Sequence, residues 1–171
     1  SYPQSGSVFK PFIYASAFSG GYNPSSLIND APIIFEDENL ETFWRPENYS
    51  GKFYGLTTLR EALVQSINIV SIKLLREIGI KKSSETIDNF GFGTERLPQD
   101  LSLALGSGNF SPAEVARGFS VFANGGMISD IHYVSQIKDK NGDIIFDHSE
   151  IDIVNISSIS AFPWLNTVQL D

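Results

Sequence analysis

One helix-start signature occurs twice in this chain and frames it: Thr58-Leu59-Arg60-Glu61 and Ser111-Pro112-Ala113-Glu114. In each, a hydroxyl at the N-cap and a glutamate three residues on can satisfy one another's backbone N–H groups, and an apolar run follows. The first run extends to about Ile78, where Gly79 stops it. The second opens with proline at the first helical position and ends near Asn124-Gly125-Gly126. A further helix is predicted from Ser7 to Phe18, with Ser7 as N-cap, Pro11 in the first turn and Gly20-Gly21 as its stop. A shorter one is expected over Ser84–Phe90. Residues 22–56 have no helical period and carry Pro24, Pro32 and Pro46, so they read as a long structured loop with short extended pieces. A loop of that length inside a compact domain is usually functional. Over about 132–147, apolar and polar residues alternate around Lys140-Asn141-Gly142-Asp143, the pattern of a β-hairpin with a type I′ turn. The tail, 156–171, has a weak helical pattern interrupted by Pro163. The fold class expected is mainly α with a small antiparallel β-hairpin.

Composition narrows the functions. The 171 residues are 42% hydrophobic, enough for one domain with a real core. A net charge of −8 argues against nonspecific binding to nucleic acid or anionic lipid. Without cysteine there is no disulfide, no thiolate metal site and no cysteine nucleophile. No apolar run approaches the roughly 18 residues of a membrane span, and the N-terminus does not read as a signal peptide. A targeting segment, if the protein works outside the cytoplasm, is expected to lie outside this chain. His132 and His148 are two lone histidines and make no metal site.

Chemistry enters with Gln4-Ser5-Gly6-Ser7-Val8-Phe9-Lys10-Pro11-Phe12. Ser7 and Lys10 are about one helical turn apart, so both side chains can share a face. By itself the pair is weak, since on the order of one S-x-x-K match is expected by chance. Ser135 and Lys138 form a second, but in a predicted strand, where residues three apart face opposite ways. Likewise Ser-x-Asn occurs at Ser66/Asn68 and at Ser107/Asn109. Ser66-Ile67-Asn68 interrupts the apolar helix that starts at Thr58, and such residues favour local backbone bonds over helix interiors, so a break is predicted there. Ser107/Asn109 lies in the turn Gly106-Ser107-Gly108-Asn109, which lacks the strand–loop–helix frame of a phosphate loop and reads as structural. A serine nucleophile, an amine to take its proton, a second hydroxyl to relay it and an amide to bind substrate are the parts of a serine-lysine acyl-transfer site.

These residues resemble the motifs of class A penicillin-binding proteins. The stretch around Ser7 is similar to R-Q-P-G-S-x-F-K-P-F at the family's nucleophile. Trp44-Arg45-Pro46-Glu47-Asn48-Tyr49 with Gly51-Lys52-Phe53-Tyr54-Gly55 resembles W-R-P-x-N-Y-x-G-x-F-x-G. Thr58 to Asn68 resembles T-L-R-E-A-L-x-x-S-x-N, and Leu103–Gly108, Ser111–Glu114 and Phe122–Gly126 resemble a later block. The resemblance spans about residues 4–126 in family order. It implies the helical part of the α/β serine β-lactamase and penicillin-binding transpeptidase fold. It also implies a D,D-transpeptidase that cross-links peptidoglycan stem peptides, is inactivated by β-lactams and needs no cofactor. Ser7 is then the acylated nucleophile, Lys10 its general base and Ser66 the proton shuttle. Asn68 binds the stem peptide, and Trp44 and Tyr49 either line the cleft or pack the loop against the domain. The implied location is the periplasmic side of a bacterial inner membrane, with the parent protein anchored through a segment absent here.

Two departures stand out. Ser5 occupies a position where the family usually has proline. The family's third motif, K-[ST]-G, is missing, and the only K-x-G, Lys140-Asn141-Gly142, falls in the predicted hairpin turn. Only six residues precede Ser7, so residues 1–171 are expected to be a partial transpeptidase domain without most of its central sheet. Such a chain is expected to have little acyl-transfer activity and to self-associate through uncovered surface. The alternatives are a catalytically silent scaffold of the cell-wall machinery, or a related D,D-carboxypeptidase or β-lactamase.

Overall fold

Helix α1, Lys10–Ser19, has no polar face: Phe12, Ile13, Tyr14, Ala15, Ser16 and Ala17 are all buried. A helix apolar all round has to be surrounded. It packs against α2 (Leu59–Val64), α3 (Asn68–Ile78) and α4 (Ile80–Asp88). The computed structural model describes residues 2–37, 42–148 and 154–155. Within them, strand β1 (Leu27–Asp30) pairs antiparallel with β4 (Gly55–Thr58), and β2 (Phe35–Asp37) with β3 (Thr42–Trp44). Helix α5 (Pro112–Ala123) follows. Then β5 (Met127–Ile128) pairs with β8 (Val154–Asn155), and β6 (Gln136–Lys138) forms a hairpin with β7 (Ile144–Asp147). The chain is thus mainly helical with small antiparallel ladders. The weak helical pattern expected over 156–171 lies outside the described residues.

The capping signature at Ser111 forms in full, and the one at Thr58 forms only its hydroxyl half. Ser111 Oγ accepts from the Glu114 N–H at 3.2 Å, and the Glu114 carboxylate accepts from the Ser111 N–H at 2.7 Å. The Arg96 guanidinium bonds the same carboxylate and holds its pKa down to about 2. Thr58 accepts from the Glu61 N–H at 3.2 Å. The helix expected from there to Ile78 is broken as predicted: α2 ends at Val64 and α3 begins at Asn68.

Three expectations need correction, and one strand pairing is not among the expectations. Ser7 is not an N-cap; it lies inside a 3-10 turn, Gly6–Phe9, that runs straight into α1. An N-cap hydroxyl needs extended backbone, and Ser5 and Phe9, the residues before each segment, are both helical. Helix α4 starts at Ile80, four residues early, because the buried face includes Ser83 and Ser84, which carry no apolar signal. The hairpin turn is not type I′, which needs φ above zero at two residues. Here only Gly142 has positive φ, and its N–H donates to Asp139 O at 3.1 Å. Asp139 Oδ1 accepts from the Asn141 and Asp143 N–H groups at 2.7 and 2.9 Å, which favours a type I turn closed by a glycine bulge. Finally, the pairing of β5 with β8 follows from no pattern read in the sequence.

Phenylalanines fill the centre. Phe12 lies with ring centroids 4.8 Å from Phe92, 5.1 Å from Phe119 and 5.2 Å from Phe90. Phe9 sits 5.0 Å from Phe92 and 5.6 Å from Phe110. Such edge and stacked pairs each add about 0.5–1.5 kcal/mol beyond area burial. The rings reach α5 only because position 118 is glycine. A Cβ there would lie 2.7 Å from the Phe92 ring and 3.1 Å from Phe12. Gly118→Ala gains about 1 kcal/mol of helix propensity and loses ~1–3 kcal/mol to overpacking. The expected net effect is a lower denaturation midpoint with unchanged slope in urea titration.

Candidate active site

Lys10 is the least ordinary residue in the molecule: a lysine 1% exposed at the start of a central helix. Among the described residues no carboxylate pairs with it. Its Nζ donates instead to Ser66 O at 2.6 Å, Asn68 Oδ1 at 2.7 Å and Ser66 Oγ at 3.0 Å. An ammonium has three protons, so all three are used. Burial lowers its pKa from 10.5 to about 8. In the unfolded chain the group keeps its ordinary value, so the cost of burying the cation is present below pH 8. That cost is relieved as pH rises from 8 toward 10.5.

The helix break makes this arrangement possible. In an unbroken helix the Ser66 carbonyl would accept from an N–H four residues on. Here Ser66 has φ +55, the only positive φ among the described non-glycine residues, and its carbonyl is turned to Lys10. Tyr14 and Ser71 join α1 to α3 below the break at 3.3 Å, and Ser71 Oγ also donates to Ile67 O at 2.8 Å. Asn68 is held by its other end as well: Nδ2 donates to Glu47 O at 2.9 Å.

Ser7 stands one 3-10 turn before Lys10 and is exposed. Its hydroxyl makes no hydrogen bond with the described residues, Lys10 included. The expected grouping is therefore assembled on the amine side (Lys10, Ser66 and Asn68), with the alcohol unbonded. Trp44 is half-buried and lies 5.3 Å from the Phe35 ring. No hydrogen bond ties it to Lys10, Ser66 or Asn68. Tyr49 is fully exposed. Ser135 and Lys138 lie on the exposed hairpin, as does Lys140 near its tip. His132 and His148 come together with centroids 4.5 Å apart, but no group of three or more metal-binding side chains occurs among the described residues.

The turn Gly106–Asn109 proves to be a clamp on the segment before Ser7. Gly6 N–H donates to Gly106 O at 2.9 Å, Ser5 N–H to Gly108 O at 3.2 Å, and Gln4 bridges Asn109. The Gly106 and Gly108 carbonyls are turned to the Ser5–Gly6 backbone, and the turn works through acceptors rather than as an anion cradle. Gly106 has φ +72, and a Cβ there would lie 1.9 Å from Gly6 O. The Ser5 hydroxyl adds longer contacts to the same carbonyls at 3.3 and 3.4 Å.

Residues 3–162 match the Penicillin binding protein transpeptidase domain family. The chain belongs to that family. It is 45% identical over 143 residues to Penicillin-binding protein 1A of Pseudomonas aeruginosa, covering 84% of this chain and 17% of that protein. The structure of Penicillin-Binding Protein 1A from Haemophilus influenzae superposes with TM-score 0.84 at 35% identity, over 91% of this chain and 23% of that one. A penicillin G acyl-enzyme complex of penicillin-binding protein A from M. tuberculosis superposes with TM-score 0.72 at 21% identity, over 85% and 38%, and shows the shared fold. This penicillin-binding domain chain thus spans about a sixth of the curated relative's length.

Substitutions at two positions test the site's framework. Gly106→Ala is expected to cost at least ~2 kcal/mol, since a backbone oxygen has to move and a left-handed residue is strained. Denaturant unfolding reads the loss, and amide shifts at Gly6 and Ser7 locate it. At position 66, glycine and alanine both remove the hydroxyl, but only glycine takes positive φ freely. Ser66→Gly is expected to be more stable than Ser66→Ala by about 1 kcal/mol in the same assay.

Proposed function

We propose that this chain carries the acylation centre of a peptidoglycan D,D-transpeptidase that works through a serine acyl-enzyme. The observation that carries the reading is the buried, carboxylate-free Lys10 amine, bonded to Ser66 Oγ and Asn68 Oδ1 one turn from an exposed serine. A protonated Lys10 spends all its protons on three oxygens and cannot accept another. At pH 7, with a pKa of about 8, about a tenth of the molecules hold the neutral amine. That form has a free lone pair and two protons, so it can take the Ser7 hydroxyl proton while still donating to two acceptors.

The Ser7 oxygen then attacks the carbonyl of the penultimate D-alanine of a stem peptide. The C–N bond breaks, and the terminal D-alanine leaves with a proton passed from Lys10 through Ser66. An amine of a neighbouring stem peptide attacks the ester and gives its proton back along the same path. A new amide forms and Ser7 is free again. The second Nδ2 proton of Asn68, not used by Glu47 O, is available to the donor peptide's backbone. β-Lactams acylate Ser7 by the same first step, with the ring C–N bond as the one broken. Trp44 is assigned to the substrate cleft on the W-R-P-x-N-Y resemblance. The setting is the periplasmic side of a bacterial envelope. No helix among the described residues is long and apolar enough to cross a membrane.

No Lys-Ser/Thr-Gly sequence occurs in the 171 residues. The family uses that motif to receive the substrate carboxylate and to complete the oxyanion hole, and loss of one oxyanion donor typically costs ~10²–10³ in rate. Acylation of this chain is accordingly expected to be slow. Penicillin treatment followed by intact-mass measurement and peptide mapping should place a single adduct on Ser7, absent in Ser7→Ala and Lys10→Ala. Its rate should rise with pH through an inflection near 8, where Lys10 loses its proton. An adduct that persists in Ser7→Ala, or a rate flat from pH 6 to 9, would overturn the mechanism.

A further inference from the structure

Helix α3 has no side-chain cap of its own: Ile67 stands at its N-cap position. Its first two N–H groups, which have no partner within the helix, donate to a residue about twenty positions earlier. Asn48 Oδ1 accepts from Asn68 N–H at 3.0 Å and from Ile69 N–H at 3.1 Å. The orientation of this buried amide is not ambiguous. Its Nδ2 faces only acceptors: both oxygens of Asp30, at 2.9 and 3.0 Å, and Lys52 O at 2.9 Å. Asp30 is a carboxylate 1% exposed that makes no salt bridge among the described residues, Lys73 Nζ donating instead to the Asn29 and Ala31 carbonyls on either side of it, and it also accepts from the Tyr54 N–H at 2.9 Å. A buried carboxylate accepting only N–H bonds is an orienting device, because it can hold the Asn48 amide one way round and no other.

We infer that Asn48, oriented by Asp30, is a positioning residue that sets Asn68 and the Ser66 turn against the Lys10 amine. The neighbouring Glu47 carbonyl fixes the Asn68 amide nitrogen, so residues 47–48 grip Asn68 at both backbone and side chain. What remains of Asn68, its Oδ1, is aimed at Lys10 at 2.7 Å. The inference rests on Lys10 and Asn68 forming the acylation centre, and it assigns no contact with substrate to Asn48 or Asp30.

The network can be inverted. In the double variant D30N/N48D, the new carboxylate at 48 still accepts from the two α3 N–H groups. The new amide at 30 donates to it and accepts from Tyr54 N–H. The bond to Lys52 O is lost, leaving that carbonyl facing the new carboxylate as it also does in N48D, and one of the two contacts between residues 30 and 48 is lost with it. In N48D alone, two carboxylates face each other. The test compares wild type, N48A, N48D, D30N and D30N/N48D as the full chain. Amide hydrogen exchange at Asn68 and Ile69 should be protected in wild type, open in N48A and N48D, and protected again in the double variant. The Lys10 titration midpoint, followed through its Cε resonance, should leave its wild-type value in N48A and return in the double variant. Loss of global stability alone would not move that midpoint in the folded population. Penicillin acylation at Ser7 should slow by ~10–100-fold in N48A, the scale of an ångström-level misplacement, and recover to within a few-fold in the double variant.

The inference is overturned if folded N48A keeps the wild-type Lys10 midpoint and acylation rate, or if the double variant is no better than N48D. Should wild-type Ser7 fail to react with penicillin at all, the proposed function falls, while exchange and the Lys10 midpoint still decide the role of Asn48.

Discussion

A cation sealed inside a protein without a counter-ion is expensive, and the structure answers that cost in one place. Lys10 is compensated by three oxygens, all from residues 66 and 68. The interruption between α2 and α3 therefore has a physical purpose: it frees the Ser66 carbonyl from the helix ladder and aims it at the amine. A carboxylate in the same position would stabilise the ammonium more strongly and raise its pKa. Neutral acceptors hold the amine in place while leaving desolvation dominant, so it can lose its proton near pH 8.

The segment before α1 solves a related geometric problem. In the proposed mechanism the nucleophile has to be reachable, whereas a base with a depressed pKa has to be buried. In a 3-10 turn, residues three apart eclipse each other along the axis. Gly6–Phe9 is such a turn, and it places exposed Ser7 and buried Lys10 on one line, with the boundary between solvent and core falling between them. Phe9 and Phe12, flanking Lys10 in sequence, anchor that line in the phenylalanine cluster.

Legibility in the sequence followed the range of the interactions. Local devices were readable: the box at Ser111, the proline at the start of α5, and the break at Ser66-Ile67-Asn68, because each depends on residues within four positions. Helix α4 starts ahead of its apolar pattern because serines occupy its buried face, where periodicity needs apolar residues. The hairpin turn departs from the type that Asn-Gly implies because the Asp139 carboxylate accepts from the Asn141 and Asp143 N–H groups. Within the site, residue types at Ser7, Lys10, Ser66 and Asn68 were visible, and the partners that hold them were not. Asn48 reaches α3 from twenty residues away, and Gly106 presses on Gly6 from a hundred. No spacing rule links such pairs; only the fold brings them together.

Ser5 shows how that framework tolerates a change. Proline, usual at this position in the family, would stiffen the approach to Gly6 but has no N–H. Gly108 O would then have no donor from residue 5. Serine loses the ring's stiffness and supplies the N–H, at 3.2 Å, with its hydroxyl directed at the same two carbonyls. One constraint acts through the unfolded chain, by limiting what it can sample, and the other through bonds made only in the folded state. Both serve to keep Gly6 under Gly106. The fixed requirement at this end of the site is thus the approach of two glycine backbones, and the residue before Gly6 varies because more than one kind of chemistry can hold that approach.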